Sequence, residues 1–292
     1  MELIFHIKTT DQLSSISDKF FKNISALYSE KPADIADKTN LLHPFHQLQY
    51  KNRIYLGNEF CFHRLPLVSD FISELKKIEK HDIKITLLTP PLTDSFLKKT
   101  IPLLDYLIRF AESEVVINDW GFLLFIRKHY PTLKISAGRL LNKAFKDPRF
   151  LQNTNDDFLA SSTFDNVLFR KKMLKLGISR LEEDLAPHQN LENFSSDDLI
   201  KRSFYFPFGY ITTGRVCLPS LLSKKTQTLK IPEKCSRPCH KRLFELKHDS
   251  FPFPLFQKGN TVFYLYPASM LAALIQKAKN ENVRLVYQGF GL

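Results

Sequence analysis

The chain has 292 residues, of which 43% are hydrophobic and 25% are charged, a balance that excludes a disordered or collagen-like protein. Lys and Arg number 42 against 30 Asp and Glu, and the formal charge of +12 favours anionic partners such as RNA or an acidic small molecule. No apolar run approaches the roughly 18 residues that a membrane-spanning helix needs, and the N-terminus does not resemble a secretion signal, so we expect a cytoplasmic protein without a transmembrane segment.

Short β-branched runs alternate with amphipathic stretches along most of the chain. Alternation of this kind is typical of the β–α–β units that build a parallel sheet. The predicted strands cover residues 3–6, 53–56, 83–88, 114–117, 133–136, 178–181, 203–206, 262–266 and 283–287. The predicted helices cover residues 11–28, 68–80, 94–112, 120–129, 157–176 and 268–279.

Eight or nine strands with intervening helices fit a closed barrel better than an open doubly wound sheet. One reason is that no glycine-rich phosphate loop follows the first strand. Another is that polar residues follow several strands, and the C-terminal rim of a barrel is where functional side chains gather. We therefore predict one α/β domain over residues 1–292, a TIM-like (β/α) barrel.

Two segments interrupt the alternation. Residues 29–49 are polar and are predicted to form a long loop before the second strand. Residues 209–254 contain three cysteines, five prolines and many lysines with little periodicity. Because long irregular segments inside a compact domain are usually functional, we predict that 209–254 is a cysteine-containing insertion near the C-terminal part of the barrel.

The three cysteines of this insertion have the pattern of a metal site. Cys235 and Cys239 flank three residues that include Pro238, and Cys217 precedes Cys235 by seventeen intervening residues. Thiolate ligands favour soft centres, which leaves zinc, Cu(I) and an iron–sulfur cluster open. Zinc ribbons usually have two residues between paired cysteines, so the wider gap weakens that option. Nearby lysines and arginines would favour the ligating thiolates.

A fourth ligand must come from a distant part of the sequence. Cys61 is the remaining cysteine, and it follows the second predicted strand. In a barrel, the loop after that strand lies on the same rim as the insertion. The alternative is that the cysteines are small buried hydrophobic residues without a metal.

Four polar residues near strand ends are candidates for substrate binding. Arg139 could hold a carboxylate through two hydrogen bonds while Asn142 donates a third. Glu182 begins an acidic run that could supply paired carboxylates. Asp119 could orient Arg139, although capping of the helix that begins at Trp120 explains it equally well. A glycine turn with a surface arginine and a solvated acidic loop are the simpler interpretations of Arg139 and Glu182.

The sequence resembles the collagenase-like peptidase family, numbered U-thirty-two, in four places between residues 53 and 240. These are Ile54-Tyr55-Leu56-Gly57-Asn58-Glu59-Phe60-Cys61 followed by Arg64, then Asp119-x-Gly121, then Ala137-Gly138-x3-Asn142, and finally Arg215-x-Cys217 with Cys235-x3-Cys239. Within the family, the pattern is most similar to the iron–sulfur members that serve dioxygen-independent ubiquinone biosynthesis.

The resemblance implies a barrel-like α/β fold and a 4Fe–4S cluster held by Cys61, Cys217, Cys235 and Cys239. It also implies a part in dioxygen-independent hydroxylation of a ubiquinone precursor, in a heterodimer with another member of the family. Two alternatives stay open: hydroxylation of RNA bases or RNA binding with a structural metal site, and peptidase activity. Hydrolysis is the weaker interpretation because no Ser or Cys nucleophile motif stands out.

Overall fold

The computed structural model of the protein describes residues 2–29, 50–147, 161–187, 200–222, 234–281 and 283–289. The predicted loop at 29–49 lies outside the described residues, except for its first residue. In the described parts of the chain, no helix combines the length and the hydropathy that a bilayer crossing requires.

Eight parallel strands form a closed barrel, which confirms the predicted TIM-like fold. They are β1 (Glu2–His6), β2 (Tyr50–Gly57), β3 (Lys84–Leu88), β4 (Glu114–Ile117), β5 (Lys134–Ala137), β6 (Ile178–Glu183), β7 (Lys201–Phe206) and β12 (Arg284–Tyr287). Around the barrel, the order is β1-β12-β7-β6-β5-β4-β3-β2. The first and last strands close the sheet, with Glu2 of β1 opposite Arg284 of β12.

Helices cover the outside of the barrel. They are α1 (Ile16–Ser29), α2 (Val68–Ile78), α3 (Asp94–Leu107), α4 (Trp120–His129), α5 (Val167–Lys175) and α7 (Ala268–Glu281), whereas the short α6 (Leu218–Leu222) lies in the cysteine-containing insertion. On α2, the buried residues Phe71, Leu75 and Ile78 follow the helical repeat, so one apolar face packs inward. Helix α3 ends at Leu107, before the predicted residue 112, and the chain passes through Glu112, with a φ of 54°, before it enters β4.

The strands bury both of their faces, because successive side chains point to opposite sides of the sheet. One set of apolar residues, including Leu3, Ile54 and Leu87, packs against the helices in the main core. The alternate set fills the inside of the barrel as a separate cluster of Ile4, Tyr55, Leu88, Val116, Tyr205 and Val286. The barrel is therefore a packed core and not a channel.

A second, antiparallel sheet lies between β7 and α7 in the chain. Its strands are β8 (Phe208–Thr213), β9 (Phe244–Leu246), β10 (Leu255–Lys258) and β11 (Thr261–Leu265), in the order β8-β11-β10-β9. The predicted strand at 262–266 belongs to this sheet and not to the barrel. Local sequence could not separate the two, since its alternating aromatic residues suit either sheet.

The insertion at 209–254 is therefore less irregular than the prediction stated. It contains most of β8, all of β9 and helix α6, and only residues 223–233 of it lie outside the described chain. Strand β8 follows β7 across a single proline, Pro207, and pairs with β11. Because the strand that pairs with β8 is distant in sequence, periodicity alone did not predict β8.

Gly57 ends β2 and lets the chain leave the barrel toward Cys61. Its φ of 103° is in the left-handed region that favours glycine. A Cβ atom there would collide with the carbonyl oxygen of Leu88, the residue opposite it on β3. The residue therefore has both a conformational and a steric reason to be glycine.

We expect Gly57→Ala to lower the free energy of unfolding by about 2 kcal/mol or more, because it adds backbone strain and a clash with β3. Urea denaturation followed by circular dichroism measures the change. Gly121→Ala is the control: a Cβ there would approach only a carboxylate oxygen of Asp119, at 3.4 Å, and alanine is the better helix former. Equal stability of the Gly57→Ala variant and the wild type would show that position 57 does not require glycine.

Candidate metal centre at the barrel rim

A cavity of about 360 Å³ lies beside the C-terminal end of the barrel, and all four cysteines line it. They are Cys61, Cys217, Cys235 and Cys239. The remaining wall is mainly apolar, with Phe60, Phe62, Leu92 and Phe96 among its residues. The fold therefore places these four residues, from positions almost 180 residues apart in the chain, on the wall of one cavity.

The loop that carries Cys61 is held by a buried asparagine. The side-chain oxygen of Asn58 accepts hydrogen bonds from the backbone N–H of Phe60, at 3.0 Å, and of Cys61, at 2.8 Å. Asparagine favours such turns because its side chain can replace a backbone acceptor. Cys61 is therefore fixed directly after the end of β2.

A second asparagine joins this loop to the insertion. Asn260, in the turn between β10 and β11, donates through Nδ2 to the carbonyl oxygens of Phe60 and Gly214, both at 2.6 Å. The first carbonyl precedes Cys61, and the second lies three residues before Cys217. In the same turn, Gly259 packs against Cys239, whose Sγ would be 3.7 Å from a Cβ added at the glycine. One hairpin turn thus contacts Cys239 and the segments that precede Cys61 and Cys217.

The segment from Cys235 to Cys239 forms a tight turn against the barrel. Arg237 has a φ of 56°, and its backbone N–H donates to Sγ of Cys235 at 3.4 Å. The Arg237 side chain donates through Nη2 to the carbonyl oxygen of Leu65 at 3.0 Å, which ties the turn to the loop after Cys61. A 3-10 turn then begins at Pro238.

Positive charge surrounds the thiols. A hydrogen bond from Cys217 lowers the pKa of Cys239 to about 6, with Arg64 and Lys258 lowering it further and burial opposing the shift. The same hydrogen bond raises the pKa of Cys217, and burial raises it further. Burial raises the pKa of the Cys61 thiol, while Arg64 acts in the opposite direction. The site therefore stabilises at least one thiolate, the form in which cysteine binds metals.

The arrangement does not fit a single metal ion. Among the described residues, no group of three or more His, Cys, Asp or Glu side chains could hold one. Zinc–sulfur bonds of about 2.3 Å would require the sulfurs to crowd around one point. The thiols instead line a shared cavity, in which Cys217 and Cys239 are joined by a hydrogen bond.

Arg139 is buried at the same end of the barrel, but it is held by the protein's own carboxylates. It is 2% exposed, and its Nε donates to Oε2 of Glu59 at 2.7 Å. Its Nη1 lies 3.4 Å from Oδ2 of Asp184 and donates to Oε1 of Gln288 at 3.0 Å. The guanidinium is thus paired with carboxylates of the chain itself, and substrate binding by Arg139 stays a prediction. Glu59 was not selected from the sequence, although it lies in the block that ends at Cys61.

Asp119 and Asn142 have structural contacts. Asp119 caps α4 by accepting from the backbone N–H of Phe122 at 2.6 Å, as the capping alternative predicted. Asn142 is buried, and its Oδ1 accepts from the backbone N–H of Phe164 at 3.2 Å. Among the described residues that line the cysteine cavity, none is one of the four substrate-binding candidates. Their role in substrate binding stays a prediction.

Glu182 lies inside the barrel. Its side chain is fully buried, and Oε1 accepts a hydrogen bond from the hydroxyl of Tyr55 at 3.0 Å. Oε2 has no hydrogen-bond partner among the described residues. Burial raises the pKa of Glu182 to about 7, although Arg284 and Arg180 oppose the shift. The solvated acidic loop considered from the sequence does not describe this residue.

The structure thus brings the four predicted cysteines to one cavity and places Arg139, Asn142, Asp119 and Glu182 elsewhere. No family model, curated protein or solved structure matches this chain.

We expect Glu182→Gln to remove one contribution to the pH dependence of stability. The pKa of Glu182 rises from its ordinary value of 4.5 to about 7 in the fold, so the folded protein holds a proton that the unfolded chain releases. The contribution of Glu182 to stability therefore falls as pH rises between these values, and the stability of the wild type relative to the variant should fall by about 1 kcal/mol per pH unit. Urea denaturation between pH 5 and pH 8 tests this. The exposed Glu79→Gln should keep the wild-type slope, and an unchanged slope in Glu182→Gln would exclude the assignment.

We expect Asn260→Ala to lower the free energy of unfolding by about 2 kcal/mol, because the buried carbonyl oxygen of Phe60 and the partly buried one of Gly214 lose their donor. It should also speed the reaction of Cys61 with a thiol reagent in metal-free protein, since the loop is released from the hairpin. Denaturation and labelling rates measure the two effects. Asn280→Ala, on the exposed face of α7, is the control and should change neither. Wild-type labelling in Asn260→Ala would refute the proposed role of this asparagine.

Proposed function

We propose that this protein binds a 4Fe–4S cluster through Cys61, Cys217, Cys235 and Cys239, and that it takes part in dioxygen-independent hydroxylation. The observation that carries the proposal is the single cavity that all four cysteines of the chain line. One thiol comes from the barrel and three come from the insertion. A cluster at this point would therefore also link the two sheets.

The surroundings support an anionic centre. Arg64, Arg215 and Arg237 line the cavity, and Lys258 lowers the pKa of Cys239. Four thiolates give a cluster negative charge, which the arginines of the cavity wall and Lys258 would offset. When bound, such a cluster supplies one-electron chemistry or a structural cross-link. The apolar wall would limit the access of water to it.

The assignment to hydroxylation rests on the sequence resemblance. Among the members of the collagenase-like peptidase family, the cysteine pattern is most similar to that of UbiV, which serves dioxygen-independent ubiquinone biosynthesis beside a partner of the same family. The cavity wall adds a pair of aromatic rings, Phe62 and Phe96, with centroids 3.7 Å apart. An apolar aromatic wall suits a ring-shaped substrate such as a ubiquinone precursor.

Hydroxylation of an RNA base is the second candidate, because the formal charge of +12 favours nucleic acid. The two proposals share the cluster and differ in substrate. Peptidase activity is less favoured, because the cysteines of the cavity are assigned as ligands. In either candidate, the chain's own residues hold the cluster, shield it from water and offset its charge.

Anaerobic purification tests the cluster. We expect about four iron and four sulfide ions per chain, with the brown colour and visible absorption of an iron–sulfur protein. Cys61→Ala should lose the colour, because one of the four ligands is removed, whereas Ser69→Ala on the exposed start of α2 should keep it. Colourless, iron-free wild-type protein after anaerobic purification and reconstitution would refute the proposal.

The reaction class needs a separate test. Cells that lack this protein and grow without dioxygen should accumulate a ubiquinone precursor that lacks a hydroxyl group. Wild-type protein should restore the hydroxylated product, and Cys61→Ala should not. Normal quinones together with missing RNA-base hydroxylation would favour the second candidate.

A further inference from the structure

Each of the eight barrel strands carries a charged side chain near its N-terminal end. In their order around the barrel, these are Glu2, Arg284, Lys201, Arg180, Lys134, Glu114, Lys84 and Arg53. All eight line one cavity of about 580 Å³. The charged residues that four adjacent strands, β12, β7, β6 and β5, contribute are all cations. This opening lies at the other end of the barrel from the cysteine cavity.

Two carboxylates of the opening are paired with arginines. Glu114 accepts from Nη1 of Arg284 at 2.8 Å and lies 3.4 Å from Nη1 of Arg53. Burial alone would raise the pKa of Glu114, but the two arginines lower it to about 2, so it stays ionised. Glu2 lies 3.2 Å from Nε of Arg284. Because these carboxylates are paired with arginines, the opposite side of the opening keeps an excess of positive charge.

Lys84 and Lys134 share one exposed carboxylate. Both ion pairs are with Glu112, and the one from Lys134 is 3.5 Å long. The only other carboxylate of the lining, among the residues that the structure describes, is Asp82. Six cations therefore face four carboxylates among the described residues of the opening, an excess of two positive charges.

Arg180 and Lys201 stand opposite each other in the register of β6 and β7. Among the described residues, neither forms an ion pair within 4.0 Å. Arg180 is only 8% exposed, and its Nη1 donates to two uncharged acceptors, the carbonyl oxygen of Arg202 at 3.0 Å and Oγ of Ser203 at 3.3 Å. A buried guanidinium without a direct ion pair is unfavourable, and a bound anion would relieve the cost.

We propose that this opening is a binding site for a phosphate group, held by Arg180 and Lys201 with Lys134 at its edge. A guanidinium can hold two oxygens of one phosphate, and the ammonium groups add charge. The cavity volume is in the range of small-ligand sites and exceeds the size of a free phosphate ion, so the phosphate of a small metabolite would fit. The site does not depend on the cluster proposal.

Isothermal titration calorimetry at constant ionic strength tests the site, with inorganic phosphate in one arm and glycerol 3-phosphate in the other. We expect one phosphate per chain, and tighter binding of glycerol 3-phosphate if the natural ligand is a phosphorylated metabolite. Lys201→Gln should weaken binding about tenfold, the usual effect of losing one charged contact. Lys201 is exposed, so this variant should unfold at the wild-type temperature and keep any cluster absorption.

The matched control is Lys128→Gln, which removes the same charge from the exposed surface of α4. It should bind phosphate as the wild type does. Equal weakening in both variants, or chloride competing as well as phosphate, would show a general charge effect and overturn the proposal. Absence of binding in both arms would also overturn it, and so would an RNA oligonucleotide that binds this opening more tightly than either phosphate.

Discussion

The buried side chain of Arg139 connects the two sheets of the protein. Its guanidinium pairs with Glu59, which follows β2, and with Asp184, which follows β6. Asp184 in turn accepts from the backbone N–H of Tyr210 on β8 at 2.8 Å, and the Tyr210 hydroxyl donates to the carbonyl oxygen of Arg139 at 2.9 Å. Removing one partner of such a buried pair costs about 3–5 kcal/mol, because a charge is left without its counter-charge. The position of the cysteine loop therefore depends on this network, since Glu59 is two residues from Cys61.

The two ends of the barrel have different chemistry for one geometrical reason. Parallel strands place all their N-termini at one end and all their C-termini at the other. At the C-terminal end, loops and the antiparallel sheet cover the opening, so thiols and aromatic rings meet in an apolar cavity. At the N-terminal end, the strand starts themselves line the opening, and their charged residues collect in a ring. Between them, the apolar layer around Tyr55 and Tyr205 fills the barrel.

Much of the barrel could be predicted from local patterns. Eight of the nine predicted strands coincide with barrel strands, because a strand buried on both faces is a short β-branched or aromatic run between polar turns. The ninth, at 262–266, has the same local pattern but pairs with β8 and β10. The cysteines could also be selected from the sequence, because thiols at such spacing have few structural explanations. Asp119 could be recognised as a helix cap, since that interaction is local.

Local sequence patterns are sufficient to predict the alternation of strands and helices, the four candidate thiols and the excess of positive charge. Which charges are paired follows only from the folded arrangement. It placed Arg139 against Glu59, buried Glu182 in the barrel and left Arg180 opposite Lys201. The physical reason is that periodicity reports which face of an element is buried, whereas pairing depends on the register between strands that are far apart in the chain. The hydrogen bonds from Asn260 to Phe60 and Gly214 also depend on segments that are far apart in the chain, because they form only when the antiparallel sheet packs on the barrel.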